Sequence, residues 1–62
     1  MEEFKEIVEV IQDISGKWRV RVEFSTFSQY FKFQEFPTNE EILIEAEKYI
    51  TNYNINENTK LQ

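Results

Sequence analysis

The chain of 62 residues contains no cysteine and no histidine. Disulfide bonds therefore cannot stabilise the fold, and zinc or haem would lack their usual ligands. A catalytic serine would also lack a histidine base, and a single glycine is too few for a phosphate-binding loop. We expect a protein of a reducing compartment that is not an enzyme, with no catalytic residues, no metal and no cofactor.

Charge and hydropathy exclude further classes of protein. Twelve acidic residues against seven basic ones give a net charge of −5, which argues against general binding to nucleic acid or to an anionic membrane. The first residues, Met1–Glu3, are acidic where a signal peptide is basic, and no apolar run approaches the roughly 20 residues that cross a bilayer. These features favour a soluble, cytoplasmic protein.

Large apolar side chains, in contrast, are present in excess. They alternate along residues 18–24 and crowd residues 30–36, although a domain of this size buries only a limited area. We therefore expect some of them to contact a partner. The residues concerned are Trp18, Val20, Val22, Phe24, Tyr30, Phe31, Phe33 and Phe36.

The only glycine marks a turn. Asp13–Gly16 has Asp, Ser and Gly at the positions that a type I turn and a three-residue hairpin loop favour. We therefore predict a hairpin centred on Ser15 that closes Asp13 against Lys17. This closure sets two valine pairs opposite each other, Val10 with Val20 and Val8 with Val22.

Three segments fit strands. Residues 4–12 satisfy both a strand and a helical stripe, and we favour the strand because the segment is rich in β-branched residues and runs directly into the turn. Residues 17–25 alternate cleanly and should form the central strand. A third strand over residues 30–36 would follow a polar loop. Its predicted pairs are Phe31 with Phe24, Phe33 with Val22 and Lys32 with Glu23.

The only proline introduces a helix. Pro37 ends the sheet, and Thr38–Glu41 has the pattern of a capping box. Apolar residues then recur at helical spacing as far as Tyr53 and should lie across the valine face. The predicted fold is therefore α+β, a three-stranded antiparallel meander with one C-terminal helix on one face (βββα). Residues 1–53 form the domain, and residues 54–62, rich in Asn, form a flexible tail.

The sheet face opposite the helix is the main candidate site. It should combine apolar side chains with arginines, a composition typical of protein interfaces. We therefore expect it to bind a protein partner or a second copy of this chain. The predicted contact residues are Ile7, Ile11, Arg19, Arg21, Tyr30 and Phe36.

Two alternatives concern charged residues. A basic stripe of Lys17, Arg19, Arg21 and Lys32 near Tyr30 could hold single-stranded nucleic acid, or its cations could simply pair with Glu9 and Glu23 across the strands. An acidic helix face could occupy a nucleic-acid enzyme in place of phosphates, or it could only keep the protein soluble. That face consists of Glu40, Glu41, Glu45 and Glu47.

One stretch of the chain is similar to a known group of proteins. Gly16–Phe24, followed by Phe31–Phe33 and Pro37–Ile42, resembles small, uncharacterised proteins encoded in tailed-phage and prophage genomes. The resemblance covers about residues 16–50. It implies a viral origin, with the host cytoplasm as the compartment, and it implies no activity.

Overall fold

The computed structural model describes residues 1–61, with side chains through Thr59. Three strands precede one helix: β1 (Phe4–Gln12), β2 (Trp18–Phe24), β3 (Ser28–Phe33) and α1 (Asn39–Leu61). The strands form one antiparallel sheet in the order β1-β2-β3. The predicted βββα fold is confirmed, and the ambiguous first segment is a strand.

The β1–β2 hairpin has the predicted turn. The amide of Asp13 donates to the carbonyl of Lys17 at 2.8 Å, and Gly16 adopts a φ of 90°, a conformation that glycine accepts without a steric penalty. The Asp13 carboxylate accepts hydrogen bonds from the Ser15 amide and hydroxyl and from the Lys17 amide. These hydrogen bonds lower the pKa of Asp13, and the bond from the Ser15 hydroxyl has the largest effect. The positive charge of Arg19 also lowers this pKa, but by less.

The predicted register of β1 is correct near the turn and wrong further away from it. Val10 lies opposite Val20 as predicted, but Ile7, not Val8, lies opposite Val22. The reason is a bulge between Ile7 and Glu9, and a second irregularity lies between Phe4 and Glu6. Because each bulge adds one residue to β1, side chains beyond it change face.

The register of β3 also differs from the prediction. Phe31 lies opposite Val20, Phe33 opposite Trp18 and Lys32 opposite Arg19, because β3 begins at Ser28 and ends at Phe33. The connection is tighter than the predicted loop, and the amide of Phe24 donates to the carbonyl of Phe27 at 2.8 Å. The register moves by an even number of positions, so both phenylalanines stay on the valine face.

The core lies between this valine face and α1. Six buried side chains form this core, and the helix tyrosines cover the aromatic residues that surround them. The ring of Tyr49 packs 5.8 Å from that of Phe24 and 5.5 Å from that of Phe31, and Tyr53 lies 4.9 Å from Phe27. Much of the apolar excess is therefore used inside the protein. The buried core residues are Val20, Val22, Phe24, Ile42, Ala46 and Ile50.

The start of α1 was predicted correctly and its end was not. The Glu41 amide donates to the Thr38 hydroxyl, and the Thr38 amide donates to the Glu41 carboxylate, both at 3.1 Å, so the capping box is confirmed. The helix continues to Leu61, so residues 54–61 are helical where the sequence predicts a flexible tail. Gln62 lies outside the described residues.

The extra helical turns contact the N-terminal segment. The Asn54 side-chain amide exchanges two hydrogen bonds with the backbone of Glu2, at 2.9 and 3.0 Å. The Glu2 carboxylate in turn accepts hydrogen bonds from the amide and hydroxyl of Thr26 at 2.9 and 2.6 Å. Glu2 thus links α1, the start of β1 and the β2–β3 loop.

We predict that a small cavity in the core is costly. Ile42→Val should lower the free energy of unfolding by about 0.5–1.5 kcal/mol, because Ile42 is buried among the core side chains. Urea denaturation measures the loss. The same change at Ile44, which is 57% exposed, is the control and should have almost no effect. Equal effects at both positions would contradict the packing of α1.

We predict that Glu2 makes stability depend on pH. The hydrogen bond from the Thr26 hydroxyl, foremost, lowers the pKa of Glu2 below its ordinary value of 4.5. The stabilisation is then fully present above the unfolded-state pKa, and it is lost as the pH falls through the lower folded-state pKa. Glu2→Gln should therefore lower Tm at neutral pH and converge with the wild type in acid. Thermal melts from neutral to acidic pH measure this difference in Tm, and Glu3→Gln is the control. The same pH dependence of Tm in both variants would contradict the role of Glu2.

Candidate functional site

One face of the sheet is covered by α1 and the other is not. On β2, the buried Val20, Val22 and Phe24 alternate with residues that point the opposite way, and cross-strand partners share their face. Because α1 is the only helix in the described residues, nothing there covers the second face. We name this second face the open face. Its residues are Glu6, Glu9, Ile11, Arg19, Arg21, Glu23, Ser28, Tyr30 and Lys32.

The open face is built of three rows across the strands. The row nearest the β1–β2 turn is Ile11, Arg19 and Lys32, the middle row is Glu9, Arg21 and Tyr30, and the far row is Glu6, Glu23 and Ser28. We name the first the basic end and the last the acidic end. Each end places two like charges directly opposite each other, an arrangement that is unfavourable for an isolated sheet.

Four of the six predicted contact residues lie together. Ile11, Arg19, Arg21 and Tyr30 occupy adjacent positions of the basic end and the middle row, as the alternation of β2 predicts. Ile11 is 39% exposed and Tyr30 is 44% exposed.

The other two residues lie elsewhere. The bulge after Ile7 leaves this side chain opposite Val22, packed against the core, so its predicted place on the outer face is wrong. Phe36 follows the end of β3, and its ring stands edge-on against that of Trp18 at 4.9 Å. Trp18 shares the face of Val20, so Phe36 extends the helix-side surface and not the open face.

Arg21 occupies the centre of the open face. It lies between Glu9 on β1 and Tyr30 on β3, and it is only partly exposed. Its Nε atom is buried, and it has no hydrogen-bond partner within the described residues. A buried donor without an acceptor costs free energy, which a rearrangement toward an acceptor would recover.

The basic stripe is more compact than predicted. Because Lys32 lies opposite Arg19 and not Glu23, two cations are neighbours beside the row of Arg21 and Tyr30. Lys17 is exposed immediately before β2. Arg21 does lie opposite Glu9, but no salt bridge joins the charges of the open face within residues 1–59.

The four acidic residues of α1 do not form one row. Glu41 takes part in the capping box, and Glu45 contacts the ammonium group of Lys48 at 3.5 Å. Residues of a helix are rotated by about 100° from one to the next, so Glu45 and Glu47 lie on opposite flanks. All four, including Glu40, are exposed.

The remaining surface offers little for small-molecule chemistry. A cavity of about 250 Å³ lies between the N-terminal residues and α1. It is lined by Met1, Glu2, Tyr53 and Asn54 among others, and Glu2 and Asn54 are hydrogen-bonded to each other. The described residues contain no group of acidic side chains arranged to hold a metal ion. No helix among them is long and apolar enough to pass through a lipid bilayer.

Comparisons with known proteins identify no relative. No protein family, no curated protein and no solved structure matches this chain. The resemblance to phage and prophage proteins therefore stays a prediction, and the open face is the feature that supports a functional proposal.

We predict that Lys32→Glu stabilises the protein. The change replaces two like charges by a Glu–Arg19 pair across β2 and β3, which should raise the free energy of unfolding by about 0.2–1 kcal/mol. Denaturation in urea at low salt measures the gain. Lys48→Glu, which removes the surface pair with Glu45, is the control and should give none. A loss of stability in Lys32→Glu would instead support the register in which Lys32 faces Glu23.

Proposed function

We propose that this chain is a non-catalytic module that binds protein through its open face. The observation that carries the proposal is the grouping of Ile11, Arg19, Arg21 and Tyr30 on a sheet face that no described element covers. Tyrosine and arginine are, with tryptophan, the residue types that are enriched among the residues contributing most to binding free energy. The charged residues around them resemble the polar rim of an interface.

The centre of this surface favours docking. The Arg21 guanidinium has a buried Nε–H for which residues 1–59 offer no acceptor, and it lies next to the exposed ring of Tyr30. A docked carboxylate or carbonyl could accept a hydrogen bond from this donor after the Arg21 side chain rearranges, which would recover the free energy lost by the unpaired group. The Tyr30 ring supplies contact area at a small cost in conformational entropy. The pair therefore combines a polar and an apolar contribution in one place.

The origin and compartment belong to the same proposal. The resemblance of residues 16–50 supports a phage-derived protein that acts in the cytoplasm of a host cell. The lack of cysteine is compatible with a reducing compartment.

A site-specific cross-link tests the proposal. A photoreactive phenylalanine analogue at position 30, introduced in the cells that naturally make this chain, should give covalent protein adducts on irradiation. The same analogue at position 44, on the outer face of α1, is the matched control, because Ile44 is 57% exposed. Equal adducts from both positions, or none from position 30, would overturn the proposal.

A specific observation favours one second candidate, the binding of single-stranded nucleic acid. The register brings Lys32 beside Arg19, next to the row that holds Tyr30. Cations beside an exposed aromatic ring are used to hold single strands. Glu9, Glu6 and Glu23 on the same face oppose it, because they repel phosphates. The acidic-inhibitor alternative has weaker geometric support, because its four carboxylates are spread around α1.

We predict that an oligothymidine of about 15 nucleotides does not bind measurably, even at low salt. Fluorescence anisotropy of a labelled strand is the measurement, and Arg19→Ala provides the comparison. Binding that is lost both in Arg19→Ala and on addition of salt would favour the second candidate over protein docking.

A further inference from the structure

The order of charges on the open face points to the occupant. We propose that a second copy of this chain docks on it face to face, with the strands of the two sheets running in opposite directions. This inference rests on the proposed protein-binding function and makes it more specific. The twofold axis crosses the strands at the row of Glu9, Arg21 and Tyr30.

The isolated chain leaves charges unbalanced at both ends of this face. Arg19 lies opposite Lys32 at the basic end, and Glu6 lies opposite Glu23 at the acidic end. No salt bridge within residues 1–59 compensates either pair. Each end therefore carries an unfavourable like-charge pair that a surface of opposite charge would stabilise.

Symmetry then decides the orientation. A twofold axis parallel to the strands would bring the basic ends of both copies together, and their charges would repel. An axis across the strands places the basic end of each copy on the acidic end of the other, which brings Arg19 over Glu23 of the second copy. Two such contacts form at once, because a twofold interface uses the same surface on both sides.

The middle row lies on the axis. There each residue faces its own copy, so the Tyr30 rings meet, but Arg21 also faces Arg21 and Glu9 faces Glu9. Each Arg21 lies diagonally across from Glu9 of the second copy, and these two diagonal contacts offset the like-charge ones. Stacked sheets lie about 10 Å apart and adjacent strands about 4.8 Å apart, so the two backbones are about 11 Å from each other, a distance that an arginine and a glutamate side chain span together. The Nε–H of Arg21 is buried and lacks an acceptor within its own described chain. A change of the Arg21 rotamer on docking exposes this donor to the Glu9 carboxylate of the second copy, which then accepts its hydrogen bond.

Charges at the margin of the face change this balance only in part. Lys17 precedes β2 at the basic end, while the Asp13 carboxylate there is engaged with Ser15 and Lys17. Lys5, the extra residue of the first bulge, lies next to Glu6. Lys5 and Asp13 each reduce the charge of one end, and neither reverses it.

The size of the face predicts a weak dimer. Nine residues form it, whereas a stable interface uses about 20–30 residues on each side. We therefore expect dissociation on dilution and a strong dependence on salt, because the exposed ion pairs are screened. Sedimentation equilibrium from about 20 µM to about 2 mM covers the range that such a contact requires.

Charge reversal with complementation is the decisive experiment. Arg19→Glu/Lys32→Glu makes both ends acidic, and Glu6→Lys/Glu23→Lys makes both ends basic. Each variant alone should associate about tenfold more weakly than the wild type. An equimolar mixture should restore association, because its two faces are complementary and the mixed pair carries the total charge of two wild-type copies.

Controls guard against trivial explanations. Glu45→Lys/Lys48→Glu exchanges two charges on α1 and should dimerise like the wild type. If a double variant does not fold, Lys32→Glu and Glu23→Lys replace it, because each creates an attractive cross-strand pair. Each of these single changes should weaken the dimer and keep the fold, as circular dichroism would show.

Three outcomes would overturn the inference. The first is a wild type that stays monomeric up to the highest concentration, and the second is normal dimerisation of both double variants. The third is a mixture that does not regain association. Normal dimers in both variants would indicate pairing at another surface, such as the free edge of β3. A monomer that still gives protein adducts from position 30 would disprove the second copy as occupant and leave the proposed protein-binding function standing.

Discussion

The packing of α1 on the valine face of β2 is the interaction on which the rest of the structure depends. A domain of 62 residues has one helix in its described part, and one helix can cover one face of a three-stranded sheet. The helix brings Tyr49 and Tyr53 onto the phenylalanines of β2 and β3, which uses much of the aromatic excess. The other face is left to Ile11, Tyr30 and seven polar or charged side chains, and it is the surface that we propose for binding.

Local chemistry made several elements predictable from the sequence. The Asp13–Gly16 turn and the Thr38–Glu41 capping box each depend on residues that contact one another within a few positions. The geometry of such a motif depends only on residues that are close in sequence, so the hairpin and the helix start are found in the expected places. The alternation of residues 18–24 identified the central strand and both of its faces for the same reason.

Long-range effects explain what the sequence did not predict. Nothing in Ile7–Glu9 signals a bulge, since β-branched residues suit either register, and one extra residue moves Ile7 from the outer face to the core. The start of β3 depends on a tight connection beside Glu2, which lies far away in the sequence. The helix continues past Tyr53 because Asn54 finds partners at Glu2. The predicted position of Phe36 on the open face is wrong because β3 ends at Phe33, which leaves the Phe36 ring free to pack against Trp18.

The irregular outline of β1 has a consequence for how such a sheet can grow. Continuous polymerisation needs two free edges that each accept another strand, as in a fibril. Here the bulges at Lys5 and Val8 interrupt the hydrogen-bonding ladder of one edge, whereas β3 is regular. A chain that adds to β3 occupies this regular edge, and further growth would have to use the bulged edge of β1, which is less suited to pairing. The two bulges of β1 therefore oppose repeated edge-to-edge addition in a small protein with an exposed sheet.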